Sequence, residues 1–307
     1  MTDPIKSDAI LNGQNYLTTI RYEQILSELD AMAEWLPSKA QIRIDGTRFS
    51  EIRACVQEIV IRLQNGTLEE LVAAKGNELL WNALTESDSF IRIYSALKQI
   101  SSQKLPRGSL KKCLSGPLLP REESHISAES RNTVFELELA ARFHEVGIEL
   151  TGFDDIDMLL DMSQVGVECK RPFSAKSSIE NLRKAKEQIR KKHGPFKLGM
   201  IAFAIDKICQ TDRKILVVNN KSEVPGMIYP YINKFLEENR GAWRGLLNTK
   251  IVGIIVCLKY VCHIRDLDLL TTGFEIAIYD RRVSPEASRL IEHMKKQFAI
   301  KYRAHIY

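Results

Sequence analysis

The first hundred residues repeat apolar positions at the spacing of an amphipathic helix, with a period of about 3.6 residues. A third apolar stripe begins after Asp88, a residue type that favours the N-cap of a helix. The pattern predicts an α-helical domain over residues 1–103, with the stripes as its core. The first two stripes are Ile25, Leu29, Met32 and Leu36, and then Ile52, Val56, Ile59 and Leu63.

Residues 104–130 show no steady period and are rich in serine, proline, glycine and charged side chains. Such clusters interrupt helices and strands. We therefore predict a linker, or a long ordered connection, between the helical domain and the rest of the chain.

From residue 131 onward, helical and strand-like patterns alternate. The order over the first part is α-β-β-β-α-β, and the last of these strands is a continuous apolar run, typical of a strand buried on both faces. This order predicts an α/β fold with a mixed sheet, in one domain over residues 131–307. The predicted strands are residues 148–150, 156–161, 165–170, 198–205, 215–218, 251–258 and 274–279, and a closing helix begins at Ser284 and Pro285.

Composition favours a soluble cytoplasmic protein with no membrane partner. Hydrophobic residues make up 44% of the chain and charged residues 27%, which is ordinary for a globular protein. No apolar run approaches the roughly 20 residues that span a bilayer, and the N-terminus lacks a secretory pattern. The six cysteines form no CxxC pair and no cluster with zinc spacing, so we expect them to be reduced.

Positive charge is concentrated in one part of the chain. The formal net charge is only +5, but residues 170–197 hold ten basic and two acidic side chains. A surface of that kind attracts polyanions, phosphate backbones above all. The charge pattern therefore favours a nucleic acid as the binding partner.

The segment VGVECKRP brings candidate chemistry to the start of this basic region. Side chains alternate along a strand, so Glu168 and Lys170 share a face. A hairpin that turns at residues 162–163 would place Asp157 directly opposite Glu168. Two adjacent carboxylates suit Mg²⁺, and Lys170 could steady an attacking water or the charge of a phosphate. Three further acids compete for the metal role: Asp154, Asp155 and Asp161.

The flanking helices complete a pattern that resembles a known family. The segments FELELAARFHEVGIEL, DIDMLL, VGVECKRP and AKEQI, within residues 131–205, resemble the PD-(D/E)XK nuclease superfamily. That family's restriction-endonuclease-like core has the same α-β-β-β-α-β order. The resemblance implies that Asp157, Glu168 and Lys170 form the catalytic set. Ile156 stands where the family's motif has proline.

The resemblance also implies roles for neighbouring residues. Glu136 would reach the metal directly or through water, with Glu138 as its rival. Gln188 would orient substrate or a metal-bound water, and the backbone carbonyl of Cys169 would add a ligand. The basic residues that would guide the phosphate backbone are Arg171, Lys176, Arg183, Lys184 and Lys186, followed by residues 190–192.

By this resemblance the chain is expected to be a Mg²⁺-dependent endonuclease that cleaves DNA, with Mn²⁺ as a substitute, in restriction, defence against foreign DNA, or repair. Two alternatives stay open. The nuclease fold could be an inactive scaffold for nucleic-acid binding or assembly, or the same site could cleave RNA as a toxin. The N-terminal helical domain would dock a protein partner or a second copy.

Overall fold

The computed structural model describes residues 22–65, 70, 73, 76–124, 127–153, 156–160, 163–192, 198–209, 215–245, 250–267, 269–280 and 284–303. The fold is mixed α/β. Its helices are α1 (Tyr22–Trp35), α2 (Arg48–Asn65), α3 (Asn77–Leu97), α4 (Arg107–Cys113), α5 (Ala128–Glu145), α6 (Ala175–Lys192), α7 (Asp206–Cys209), α8 (Val224–Arg244) and α9 (Pro285–Arg303). Its strands are β1 (Glu149–Gly152), β2 (Ile156–Leu160), β3 (Ser163–Lys170), β4 (Leu198–Ala204), β5 (Leu216–Val218), β6 (Ile251–Ile264) and β7 (Leu269–Asp280).

The N-terminal helices pack around one apolar core, as their sequence pattern predicts. Leu29 and Met32 of α1 are fully buried in it, and so is Leu36, in the short π-helical turn after α1. Ile52 and Val56 of α2 are fully buried in the same core. The described positions of the two stripes are therefore core positions, and Ile59 is buried in a neighbouring cluster with residues of β6 and β7.

Asp88 does not cap a helix, so that expectation is wrong. It lies in the middle of α3, which begins at Asn77 after Gly76. Its carboxylate instead lies 3.1 Å from Arg92, one turn along, and 3.0 Å from Arg142 of α5. Because these two guanidinium groups balance its charge, the acid is accommodated inside the helix.

The connection between residues 104 and 124 holds α4 and a 3-10 turn at Pro120–Glu122. Leu110 of α4 is buried in the same core as α1 to α3, together with Val134 of α5. Another side of α5 packs on the sheet through Phe135 and Leu139. Helix α5 thus joins the N-terminal helices to the sheet.

The strands form one mixed sheet in the order β1-β2-β3-β4-β6, and β5 and β7 also pair with β6. The first three strands are antiparallel to one another, β3, β4 and β6 run parallel, and β7 runs antiparallel to β6. Helix α6 supplies the crossover that a parallel β3–β4 pair requires. Strand β7 pairs along residues 253–264 of β6, so β4 and β5 share the opposite edge of β6.

Helices cover both faces of this sheet. One core contains Val165 and Val167 of β3 and is covered by α5 and α9. The core on the opposite face contains Ile201 and Phe203 of β4 and is covered by α6 and α8. The two faces will be called the α5 face and the α6 face.

The helices and strands predicted between residues 131 and 205 are all present. The predicted cap at Ser284 is confirmed, because its hydroxyl accepts a hydrogen bond of 3.1 Å from the backbone of Ala287. The sequence pattern missed α8, a long helix that contains Pro230. None of the described helices combines the length and the apolar content that crossing a bilayer requires.

Candidate functional site at the β2–β3 hairpin

The hairpin register differs from the predicted one. Leu160 pairs with Ser163, and Asp157 pairs with Gly166 instead of Glu168. Glu168 therefore lies two positions further along β3 than the partner of Asp157. A shift of two positions preserves the face of every side chain. Asp157 and Glu168 consequently share a face, but as diagonal neighbours and not as a direct pair.

The alternation of β3 and its pairing with β4 identify that face. Glu168 pairs with Ile201 and Lys170 pairs with Phe203. Residues paired in a sheet point to the same side, and these two β4 residues lie in the core covered by α6. The acid and the lysine therefore project from the α6 face, near the start of the basic helix.

Glu168 and Lys170 form an ion pair. The Lys170 ammonium donates a hydrogen bond of 2.6 Å to Oε1 of Glu168. Their side chains are only 9% and 16% exposed. Charged hydrogen bonds in such shielded places are stronger than those at an open surface. The pair is thus a fixed dipolar group at the end of a central strand.

Gln188 lies on α6, the helix that covers this face. Its side-chain oxygen is buried and accepts no hydrogen bond within the described part of the chain. A buried amide oxygen without a donor carries a cost that a water or a cation would remove. Such an oxygen is a suitable acceptor for a bound water, and the role expected for Gln188 at the site stays a prediction.

Glu136 belongs to the helix that covers the opposite face of the sheet. It lies on α5, and Cys169 packs against the core beneath that helix. Burial raises the pKa of the Cys169 thiol well above its ordinary value, and the nearby charge of Glu136 raises it further. Cys169 and Glu168 point to opposite faces of β3, and a metal-binding role for Glu136 stays a prediction.

Glu138, the rival of Glu136, belongs to a separate buried cluster. Its wholly buried carboxylate accepts hydrogen bonds from Arg142, the shorter one 2.8 Å long, and pairs with Lys259 of β6. The Arg142 guanidinium also lies 3.6 Å from the ring centroid of Phe274. These contacts give Glu138 a structural role between α5 and the sheet.

Arg171 is not on the phosphate-facing surface expected of it. Its side chain is 8% exposed, and it lies 3.5 Å from Glu123 and 3.8 Å from Asp206. It follows the last residue of β3, and both of these partners are buried acids, so its guanidinium is turned into the protein. We therefore remove Arg171 from the set of phosphate-contacting residues.

The basic residues of α6 differ in exposure. Arg183 and Lys184 are exposed, and Lys186 is half-buried. Lys184 pairs with Glu180 one turn earlier, at 2.6 Å. The side chain of Lys176 lies outside the described residues. A solvent-facing basic surface on α6 therefore rests on Arg183 and Lys184, with residues 190–191 also exposed.

Sequence reasoning missed Glu123, whose side chain is completely buried. It pairs with Arg131 at 3.2 Å and with Arg171, and the ammonium of Lys207 also donates to it. Burial opposes its charge, but Arg171, Lys207 and Arg131 together lower the pKa of Glu123. This acid ties α5 to the segments that follow β3 and β4. No local pattern marks it, because its partners are distant in sequence.

This face offers few protein ligands to a divalent cation. Within the described ranges, no three histidine, cysteine, aspartate or glutamate side chains converge as a metal cluster. Asp157 and Glu168 offer two carboxylates on one face, a number that Mg²⁺ accepts when waters fill its remaining positions. The competing acids Asp154, Asp155 and Asp161 lie outside the described residues. The fit thus rests on Asp157 and Glu168, whose shared face follows from the strand register.

Comparisons with protein-family models, with curated proteins and with solved structures return no match for this chain.

Proposed function

We propose that this chain is a metal-dependent phosphodiesterase that cleaves nucleic acid, with DNA as its substrate. The observation that carries the proposal is the Glu168–Lys170 ion pair, which shares one face of the sheet with Asp157 beside a basic helix. A shielded lysine, two carboxylates and a surface suited to phosphates are the groups that phosphodiester hydrolysis needs.

Each of these residues has a distinct task in the proposed reaction. Asp157 and Glu168 would hold Mg²⁺ or Mn²⁺, with the backbone carbonyl of Cys169 as a further ligand. The metal, when bound, would polarise the phosphate and lower the pKa of a water. Lys170 orients the attacking water or balances the charge that develops on the phosphate. Gln188 accepts a hydrogen bond from a water or from substrate through its buried oxygen.

Arg183 and Lys184 would guide the phosphate backbone toward this face, because a positive surface raises the local concentration of a polyanion. Contacts of this kind are independent of sequence and weaken as salt increases. A role in restriction, defence or repair follows from the family resemblance alone. The N-terminal helices would then serve a partner or a second copy.

A second candidate is an inactive scaffold that keeps the fold and binds nucleic acid. Two observations favour it: the absence of a three-residue metal cluster among the described residues, and the use of Lys170 as an internal partner of Glu168. The two candidates differ in their dependence on Mg²⁺. A scaffold binds nucleic acid equally well with and without Mg²⁺ and leaves it intact, whereas a nuclease cleaves it only when the metal is present.

Cleavage assays test the proposal. Supercoiled plasmid, linear duplex, single-stranded DNA and RNA would each be incubated with the protein in Mg²⁺, Mn²⁺ or EDTA. Lys170→Ala and Glu168→Ala should each lower the rate by about 100-fold or more, the usual loss when a transition-state contact is removed. The matched control is Lys112→Ala, which removes an exposed lysine paired with Glu129 at 2.7 Å.

The substrate that disappears identifies the class of nuclease. Loss of the RNA alone would move the assignment to the RNA-cleaving alternative with the same site. No metal-dependent cleavage of any substrate, or cleavage that survives both substitutions in folded protein, would exclude the proposed site. Thermal melting of each variant shows whether it is folded.

A further inference from the structure

The connection that runs from α3 through α4 is rich in positive charge and contains no acid. Between Asp88 and Glu122 the chain has seven basic side chains and no acidic one. The whole chain has 39 acidic residues in 307, so a segment of this length would be expected to hold about four. The positive charge of the segment is therefore not balanced along the sequence, and can be balanced only by contacts in the fold or by a partner.

Contacts in the fold balance three of these seven side chains. Acids lie between 2.7 and 3.1 Å from Arg92, Lys112 and Arg121. The other four are exposed, and none of them forms an ion pair within the described part of the chain. We call these four the connection surface: Lys98, Lys104, Arg107 and Lys111.

An ordered backbone holds the charges of the connection surface in place. Leu105 and Leu110 are buried in the core of the N-terminal helices, so α4 and its first turn are anchored on both sides of Arg107. The backbone amide of Lys104 donates a hydrogen bond of 2.9 Å within the preceding turn. Arg107 and Lys111 are four residues apart on α4, so they share one side of the helix, about 6 Å apart along its axis. A surface that is already ordered loses less conformational entropy when it binds.

We propose that the connection surface binds the phosphate backbone of a nucleic acid, in addition to the basic side of α6. Phosphates repeat about every 3.4 Å along each strand of a duplex, so several cations of one surface can each meet a phosphate. Contacts of this kind position a nucleic acid without reading its sequence. The inference goes beyond the proposed cleavage, because binding at this surface needs neither Asp157 nor Lys170 and would serve a scaffold equally well.

The apolar side chains of the connection favour a nucleic acid over an anionic membrane. A helix that binds a lipid surface needs exposed apolar side chains that enter the boundary of the acyl chains. In α4 and the three residues before it, the large apolar side chains are Leu105 and Leu110, and both are buried. The connection surface offers charge alone, which matches a phosphate backbone in water.

Binding measured without cleavage tests the inference. The full chain would be titrated in EDTA against two fluorescein-labelled DNA duplexes of unrelated sequence, at several concentrations of NaCl. Fluorescence anisotropy gives the Kd and the slope of the logarithm of the binding constant against the logarithm of salt concentration. The test variant combines Lys104→Gln, Arg107→Gln and Lys111→Gln. The control variant loses the same charge at three exposed lysines of other elements: Lys221→Gln, Lys234→Gln and Lys296→Gln.

The test variant should weaken binding of both duplexes by about 10-fold or more, and should reduce the salt slope by about 3, because each phosphate contact contributes about 0.9. Lys111→Gln alone should reduce the slope by about 1. The control variant should keep the wild-type slope. Because the substituted side chains are exposed, all variants should keep the wild-type Tm.

A test variant with the wild-type slope would overturn the inference, as would an equal loss of slope in the control variant. Vesicles of phosphatidylserine and phosphatidylcholine provide the arm for an anionic membrane. If the test variant lost binding to these vesicles and kept its binding to both duplexes, the partner would be a lipid surface and the inference would be wrong.

Failure of this inference can be separated from failure of the proposed function. If wild type cleaves nucleic acid and the test variant binds it with the wild-type slope, the nuclease assignment stands and the connection surface is wrong. If wild type never cleaves and the test variant loses the expected slope, the connection surface stands and the nuclease assignment is wrong.

Discussion

The ammonium of Lys170 lies 2.6 Å from Oε1 of Glu168, and both side chains project from the same face of β3. The ion pair is largely buried, so the charge of each side chain is balanced mainly by the other. Removal of one leaves a charge with little access to water. The same ion pair is therefore expected to contribute both to the stability of the protein and to the proposed cleavage reaction.

Lys170→Met should destabilise the protein by about 1–3 kcal/mol, because it leaves the charge of Glu168 shielded and unbalanced. The double variant with Glu168→Gln should recover part of the loss, since it removes both charges. Urea unfolding of the two single variants and the double variant forms a complete cycle. If the loss of stability in the double variant equalled the sum of the losses in the two single variants, the two side chains would not interact.

Glu123→Gln should destabilise the fold by about 3–5 kcal/mol, since it removes the shared partner of three buried or half-buried cations. Urea unfolding measures the change in free energy. The control is Glu129→Gln, because Glu129 is 66% exposed in its pair with Lys112 and should contribute less than about 1 kcal/mol. Similar losses in the two variants would mean that the buried network does not hold these segments together.

Glu275 predicts a pH dependence of stability. It is 1% exposed on β7, and burial raises its pKa to about 8. The folded state therefore keeps a proton that the unfolded state loses above its ordinary pKa, 4.5. Between these two values the folded state binds more protons, so the free energy of unfolding falls as pH rises. Across this range of pH, the raised pKa of Glu275 lowers the free energy of unfolding by a total on the order of a few kcal/mol.

Glu275→Gln should flatten this decline, because glutamine carries no charge at any pH. The comparison is the free energy of unfolding of wild type and variant from pH 5 to pH 9, measured in urea. The variant should gain stability relative to wild type as pH increases. A constant difference between the two proteins across that range would contradict a buried, protonated Glu275.

Gly273→Ala should be destabilising by about 1–3 kcal/mol, the usual cost of overpacking. A Cβ at this position would lie 2.1 Å from the ring of Tyr260, which is itself fully buried on β6. Gly108→Ala is the control, because no neighbouring atom lies within 4 Å of its added Cβ and alanine favours a helix. Thermal melting separates the two outcomes; an equal Tm for Gly273→Ala and wild type would show that the ring can move.

Much of the fold could be predicted from the sequence, because periodic apolar residues report burial directly. The stripe of α1 and the apolar run of β4 are examples. The exact hairpin register could not be predicted. A shift of two residues leaves every side chain on its face, so alternation alone cannot distinguish a partner at Gly166 from one at Glu168.

The candidate site was predictable where its residues share one strand, and less so where it depends on packing. Glu168 and Lys170 meet because they are two positions apart. Glu136 was assigned to the same site from its helix alone, and no alternation along a strand fixes the face of the sheet on which that helix packs. The partners of Glu123 include Lys207, 84 residues away, so no local pattern could reveal this buried network.

The measurement that tests the central claim most directly is the rate of cleavage of labelled single-stranded and duplex DNA as a function of Mg²⁺ concentration, for wild type and Lys170→Ala. We predict a wild-type rate that rises with Mg²⁺, vanishes in EDTA and falls by about 100-fold or more in the variant. A wild-type protein that binds these substrates but never cleaves them at any Mg²⁺ concentration would contradict the nuclease assignment and favour the scaffold.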